Sequence, residues 1–305
     1  MTRLLLPVVW IFWGIAYPLM SWSLQAADLF STRLIIMPSS GLILLAVGVL
    51  GGAPALPERR LWGQIALTGL FNMGLFQIFL ICGIATLGPS RAPIIVYTMP
   101  AWSSLFAVFL LKERISPRVA LSLALSLVAV ALIVSQETAA RTAPVGTLLT
   151  LLAAISFGLG TVLTKRTALR REHAGDPTIN AAWQLLVGTL PVIAVWLVYL
   201  PHTYFRAEET RGLVALACLT LGSNALAYFC WFRIIALLPA SVASLTTMVV
   251  PCVGFGSSAL LIGGDISWLD VVALGLIIAA VTLGLTDRPA AADDAQPRQP
   301  AKLRQ

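Results

Sequence analysis

The stretch IATLGPSRAPIIVYTMPAWSSLFAVFLL at residues 84–111 returns 151 residues later as IALLPASVASLTTMVVPCVGFGSSALLI at residues 235–262. Extended to 84–134 against 235–285, the alignment needs no gap and matches at 13 of 51 positions, Ile84 with Ile235, Ser90 with Ser241, Ala92 with Ala243 and Pro100 with Pro251 among them. Apolar sequences match often by chance, so the ordered run at 84–92 and the paired prolines carry more weight than the total. Each copy is also long enough to cross a bilayer. A helix rises ~1.5 Å per residue, and a hydrocarbon layer of ~30 Å takes about twenty mostly apolar residues.

Moving outward from these copies, the whole chain divides into ten such windows. They run near Leu4–Leu24, Phe30–Leu50, Trp62–Ile81, Ala92–Leu111, Pro117–Ser135, Val145–Thr164, Thr178–Leu200, Leu213–Phe232, Pro239–Gly263 and Trp268–Thr286. The composition agrees, with 58% hydrophobic and 11% charged residues, where a soluble domain carries about 25% charged. Mean hydropathy is +0.90. The expected fold class is an all-α integral membrane protein with ten transmembrane helices. The first window exceeds an ordinary signal-peptide core and follows a single Arg3, so it is expected to stay as a helix. Cys82, Cys218, Cys230 and Cys252 all lie in or beside windows and read as small packing residues rather than a disulfide framework.

Lysine and arginine collect on alternate loops. With the N-terminus inside, fifteen of the 20 basic residues fall on the cytoplasmic side and five, Arg33, Arg91, Arg141, Arg206 and Arg211, on the other. The positive-inside rule then puts both termini in the cytoplasm. Topology therefore accounts for the net charge of +7. Short basic interhelical loops have no folded surface with which to read a nucleic acid duplex, so no nucleic acid partner is expected.

Two halves of five spans must enter the membrane from opposite sides, because an odd number of crossings reverses direction. The repeat therefore predicts inverted halves: residues 1–135 as the first five-helix repeat and 145–286 as the second, with 287–305 a disordered cytoplasmic tail. A shift of 144 residues also pairs Trp13-Gly14 with Phe157-Gly158 at the first helix of each half. Inverted repeats are used by many secondary transporters, whose halves rock about a site near the midplane.

The stretches WGIAYPLM in the first span, MPAWSSLFAVFLLKERIS across the fourth, and ALAYFCWFRIIALLPASVASLTTMVVP across the eighth and ninth resemble the EamA family of the drug/metabolite transporter superfamily. The resemblance covers nearly the whole chain, from Leu4 to Thr286, and implies a ten-helix inner-membrane carrier that exports amino acids or similar metabolites. It also implies a central cavity lined by helices one to four and six to nine. Glu113 matches the acidic residue that the family often carries after its fourth span. After the ninth span the sequence reads Gly263-Gly264-Asp265, so the equivalent acid is shifted or lost. Arg33 looks like the arginine the family often places at the start of its second helix.

Polar and aromatic side chains inside spans are costly in lipid unless they face a cavity or another helix. Residues three, four and seven apart share a face. Asn224, Tyr228 and Trp231 form one such stripe, Trp10, Gly14, Tyr17 and Ser21 another with Trp13 alongside. Thr247 and Met248 share a stripe with Ser244 and Pro251, and Tyr97, Pro100 and Ser104 form its counterpart. The substrate-binding candidates are Trp13, Tyr17, Arg33, Gln77, Tyr97, Asn224, Tyr228, Trp231, Thr247 and Met248, with aromatic packing between helices as the competing reading of each. Asn72 and Gln77, five apart and so about 140° around a helix, cannot both face one centre. Arg33 has three readings: a substrate carboxylate, a pair with Asp28, or snorkelling to the headgroups. Pro100 and Pro251 each remove a helical hydrogen bond and are the gating candidates.

The expected function is a secondary transporter of small amphipathic solutes working by alternating access. An intramembrane enzyme would need a constellation such as H-E-x-x-H or paired intramembrane aspartates, which the sequence lacks; a scaffold or receptor subunit is the other alternative. There is no Walker motif, so ATP is not the direct energy source and no cofactor or metal is implied. The expected partners are a small-molecule substrate and the lipid bilayer.

Overall fold

A computed structural model describes residues 2–87, 95–135, 144–169, 175–199, 203–261 and 268–286. Arg91, Arg141, Gly263 to Asp265 and the tail from 287 lie outside the described residues. Among those described there is no β-strand, only an isolated antiparallel bridge between Ala27 and Phe205.

The helices are α1 (Thr2–Gly14), α2 (Ala16–Ala26), α3 (Leu29–Leu50), α4 (Trp62–Gly69), α5 (Phe76–Leu87), α6 (Met99–Phe106), α7 (Pro117–Ser135), α8 (Pro144–Leu169), α9 (Pro177–Tyr199), α10 (Thr210–Cys218), α11 (Ala227–Leu237), α12 (Ala240–Thr246), α13 (Val249–Leu261) and α14 (Trp268–Leu285). Among the described residues, six continuous helical stretches are long and apolar enough to cross a membrane, and α1 with α2, bent by 41° at Ile15, makes a seventh. Two more apolar helices, Met99–Leu111 and Pro117–Ala129, are shorter. Leu50, Val198 and Leu260 are among the large apolar side chains exposed on the outside of the bundle, where only lipid would satisfy them.

Local chemistry sets the ends. Proline opens α7, α8 and α9 at the first helical position, where its missing N–H costs nothing. Asp28 caps α3, its Oδ1 accepting from the N–H groups of Phe30 at 3.0 Å and Ser31 at 3.1 Å.

Three spans widen into i→i+5 turns: Leu70–Leu75 joins α4 to α5, Ala107–Leu111 extends α6, and Leu219–Leu226 joins α10 to α11. Such bulges leave backbone carbonyls to be satisfied from outside the helix. Neighbouring side chains do so here. Ser156 Oγ donates to the Phe71 carbonyl at 2.8 Å, Ser40 Oγ to that of Thr220 at 2.9 Å, and Trp13 Nε1 to that of Ser223 at 2.9 Å.

Helices meet closely where one side presents no Cβ. A Cβ on Gly14 would lie 2.4 Å from the Val253 side chain, and one on Gly158 would lie 2.9 Å from the Ser103 backbone nitrogen. The bundle has two distinguishable ends. At one, Asp28 Oδ2 accepts from the Tyr204 N–H at 3.0 Å. At the other, Glu113 reaches the start of α12.

Candidate functional site

Between mid-depth and the Asp28–Tyr204 end, α2, α3, α5, α8 and α11 enclose a chamber of about 150 Å³. Its floor is an aromatic cluster. Trp13, fixed by its bond to Ser223, sits edge-on to Tyr228 with ring centroids 5.5 Å apart, and Phe157 lies 5.0 Å from Phe76. The Tyr17 and Tyr97 hydroxyls share a hydrogen bond across the upper wall, tying α2 to the turn that precedes α6.

Polar groups stand at defined points on these walls. Asn224 lies in the widened turn before α11 and donates through Nδ2 to the Leu219 carbonyl at 3.2 Å. Gln77 is on the first turn of α5, with its Oε1 buried and without a partner. Arg33, one turn into α3, is 7% exposed and lines the same chamber.

Of the residues singled out in the sequence, Trp13, Tyr17, Arg33, Gln77, Tyr97, Asn224 and Tyr228 line the chamber. Trp231 does not. It is fully buried behind the wall, stacked on Phe157 with centroids 6.1 Å apart and held off the chamber by Trp13. Thr247 and Met248 are also away from it, in the turn between α12 and α13, where Thr247 Oγ donates to the Ser244 carbonyl at 2.7 Å. An uninterrupted helical phase placed these two on a common stripe, and the break at 247–248 resets it. Pro100 and Pro251 lie just inside the starts of α6 and α13, each behind a two-residue turn. Asn72 and Gln77 diverge: Asn72 Nδ2 donates to Thr164 Oγ1 at 3.0 Å and to Gln184 Oε1 at 3.4 Å, between helices.

The sequence reading passed over Phe76, Phe157 and Ser223, all on the wall. Phe157 had a signal, its pairing with Trp13 under the 144-residue shift. Phe76 had none beyond its apolar character.

The opposite end has hollows too, one of about 190 Å³ beside Gln64, Thr68, Leu163 and Arg166 and one of about 50 Å³ beside Thr164 and Gln184, but neither is lined by an aromatic cluster. Ser244 Oγ donates to Ser103 Oγ at 2.6 Å, and Lys165 Nζ to the Ala236 carbonyl at 3.2 Å. Glu113 Oε1 accepts from the Ala240 N–H and Oε2 from the Ser241 hydroxyl, both at 2.9 Å. Lys112 aims that carboxylate. It adopts a left-handed φ of 56° and lets the Glu113 N–H close back onto the Ala107 carbonyl at 3.2 Å.

An all-helical bundle with several bilayer-length apolar helices around a polar and aromatic chamber is a multi-pass membrane protein. The sequence profile of the EamA-like transporter family matches residues 2–135 and again 144–286. The chain belongs to that family. It is 24% identical over 287 residues to the uncharacterized transporter sll0355 of Synechocystis, covering 89% of this chain and 86% of that one. It is 25% identical over 292 residues to the uncharacterized transporter YvbV of Bacillus subtilis, covering 92% and 90%. A WAT1-related chloroplastic protein of Arabidopsis thaliana is 26% identical over 230 residues, covering 72% of this chain and 54% of its own. One solved crystal structure shares the fold at a TM-score of 0.75 and 17% identity, over 93% of this chain and 96% of the other.

Proposed function

We propose that the protein is a secondary transporter that exports small amphipathic solutes, such as amino acids or related metabolites, across the inner (plasma) membrane by alternating access. The observation that carries this reading is the chamber itself. Aromatic and amide side chains from both parts of the chain converge on it, while the other end of the same bundle is tied shut by Glu113, Ser103 and Ser244. One chamber reached from one side at a time is what such a cycle requires.

In this reading ten spans form two inverted repeats, residues 1–135 and 145–286, with both termini cytoplasmic and the Glu113 end facing the cytoplasm. Paired contacts support it. Gly14 packs on Val253 and Gly254, and Gly158 packs on Trp102 and Ser103. The 151-residue shift carries Trp102 and Ser103 onto Val253 and Gly254, and the 144-residue shift carries Gly14 onto Gly158. The widened turn Leu70–Leu75 shifts onto 221–226, inside Leu219–Leu226. Pro100 and Pro251, each beside a break, are the gating pair.

The sequence places no Asp or Glu deep in a span, so transport runs down the solute gradient or by exchange rather than through a carboxylate proton relay. Uphill flux driven by an imposed pH gradient would refute that part. The main test is efflux from proteoliposomes loaded with labelled amino acids and related metabolites. Selective efflux, reduced at least tenfold in an Asn224→Ala, Tyr228→Ala double variant, is expected; absence of flux for every solute overturns the transporter reading.

A further inference from the structure

Among the described residues Arg33 is the one charged side chain on the chamber wall, and it is 7% exposed. Among the described residues it makes no hydrogen bond or ion pair, and its Nε is buried without a partner. Asp28, five residues earlier, makes no ion pair with it. Both Asp28 oxygens are committed to backbone N–H groups, Oδ1 to Phe30 and Ser31 and Oδ2 to Tyr204. The ion pair found among the described residues, Arg60 with Glu58 at 2.6 Å, is far away in an exposed loop.

A buried guanidinium without a counter-charge is expensive, and proteins retain one where an anion completes the site. Arginine's planar fork suits a carboxylate through two parallel N–H···O bonds. The rest of the wall is aromatic: Trp13, Phe76, Phe157 and Tyr228. A chamber of about 150 Å³ is the size that takes a benzene ring. Equally telling, among the described residues no Asp or Glu lines that wall, which leaves an ammonium group without an ionic partner and beside a positive charge.

We propose that the chamber selects a small organic monoanion, a carboxylate on a compact aromatic or apolar body, over the neutral, cationic or zwitterionic solute of the same shape. The carboxylate pairs with Arg33, the Gln77 amide faces its polar edge, and the ring lies on the aromatic floor. This rests on the chamber being the substrate site and confines the transporter reading above to the related metabolites, setting zwitterionic amino acids aside.

Four probes that share a phenyl ring and differ in charge test it on the purified full chain: benzoate, benzamide, benzylamine and phenylalanine. Binding is read by tryptophan fluorescence and thermal shift, flux by counterflow in vesicles of neutral lipid. Benzoate is expected to bind at least tenfold tighter than the other three. Arg33→Gln should abolish that preference by weakening benzoate binding at least tenfold, and Arg33→Lys should keep part of it.

Equal affinity for benzoate and benzamide overturns the proposal, as does a preference that survives in Arg33→Gln, or no binding by any probe. Should Arg33→Gln fail to fold, the wild-type ranking of the four probes still decides. Arg33-dependent benzoate binding without counterflow would sink the transporter reading and leave the anion site standing. Counterflow of phenylalanine or benzylamine ahead of benzoate would do the reverse. If Arg33 instead holds a lipid phosphate, adding an anionic lipid to the vesicles abolishes benzoate binding, and the proposal falls.

Discussion

Asn72 and Asn224 sit near the middle of two spans that widen at corresponding places, yet their side chains do opposite things. Asn72 is 1% exposed and bonds across to Thr164 and Gln184. Asn224 bonds only within its own widened turn and turns the rest of its amide to the chamber. The same backbone device serves packing in one place and a chamber wall in the other. Polar ties between elements occur at both ends, through Asn72 and Glu113 at one and Asp28 at the other, and buried polar atoms without a partner occur at both as well, Asn72 Oδ1 at the first, Arg33 Nε and Gln77 Oε1 at the second. Under the proposed inverted repeat, the asymmetry between the two asparagines is that of one state in a transport cycle.

The largest effect expected from this contrast is steric. A Cβ at Gly160 would lie 2.4 Å from Asn72 Oδ1 and 2.7 Å from its backbone nitrogen, whereas a Cβ at Gly222 would meet the Phe12 ring at 2.4 Å. Backbone cannot withdraw and a ring can turn. Gly160→Ala should cost about 2–3 kcal/mol and Gly222→Ala about 1 kcal/mol, the upper and lower parts of the range for overpacking. Unfolding in detergent monitors both. Equal costs would break the distinction between a packed and a compliant widened turn.

Next in size is the pair of asparagine truncations, which separates stability from function. Asn72→Ala removes an interhelical bond and should cost about 1 kcal/mol of stability with little change in substrate affinity. Asn224→Ala should leave stability within about 0.5 kcal/mol, as it loses only a local bond, and weaken substrate binding about tenfold, equivalent to about 1.4 kcal/mol. The opposite pattern would put the working site at Asn72.

Much of this contrast was legible in the sequence, and the illegible parts have physical causes. Helical spacing grouped Trp13 with Tyr17 and Asn224 with Tyr228, each four apart, and both pairs stay on the chamber wall despite the bend at Ile15 and the widened turn ending at Leu226. It misplaced Thr247 and Met248 because a turn at 247–248 resets the phase. It put Trp231 on the right stripe but at the wrong depth, since the helix face is read from spacing while cover by Trp13 and Phe157 depends on neighbours. Phe76 and Phe157 read as core because nothing in an apolar aromatic distinguishes a floor from a filling. The widened turns left no sequence signature at all. Inter-helix geometry decides them.

A smaller effect tests whether Glu113 holds the start of α12 as described. Glu113→Gln keeps the shape but removes the charge that the Ala240 and Ser241 N–H groups donate to. A lost cap costs about 1 kcal/mol, so amide exchange in the segment starting at Ala240 should quicken about fivefold, as hydrogen exchange with mass spectrometry would read. Exchange near Arg33 and Gln77 should not change. A uniform response would mean that Glu113 supports the fold at large rather than that end.

The smallest effect concerns the residue that aims Glu113. Lys112 holds a φ of 56°, a conformation that disfavours any side chain with a Cβ and costs about 1–2 kcal/mol. Glycine there relieves that strain but loses about 0.5–1 kcal/mol through its freer unfolded chain. The relief should narrowly win. Lys112→Gly is expected to raise stability by about 0.5 kcal/mol, or about 1–2 °C in Tm for a chain of this size, with the exchange rate at Ala240 unchanged. Lys112→Ala keeps the Cβ and so the strain, and should show no gain. A gain from alanine equal to that from glycine would assign the effect to the lysine's charge, and the turn would no longer explain how Glu113 comes to face the start of α12.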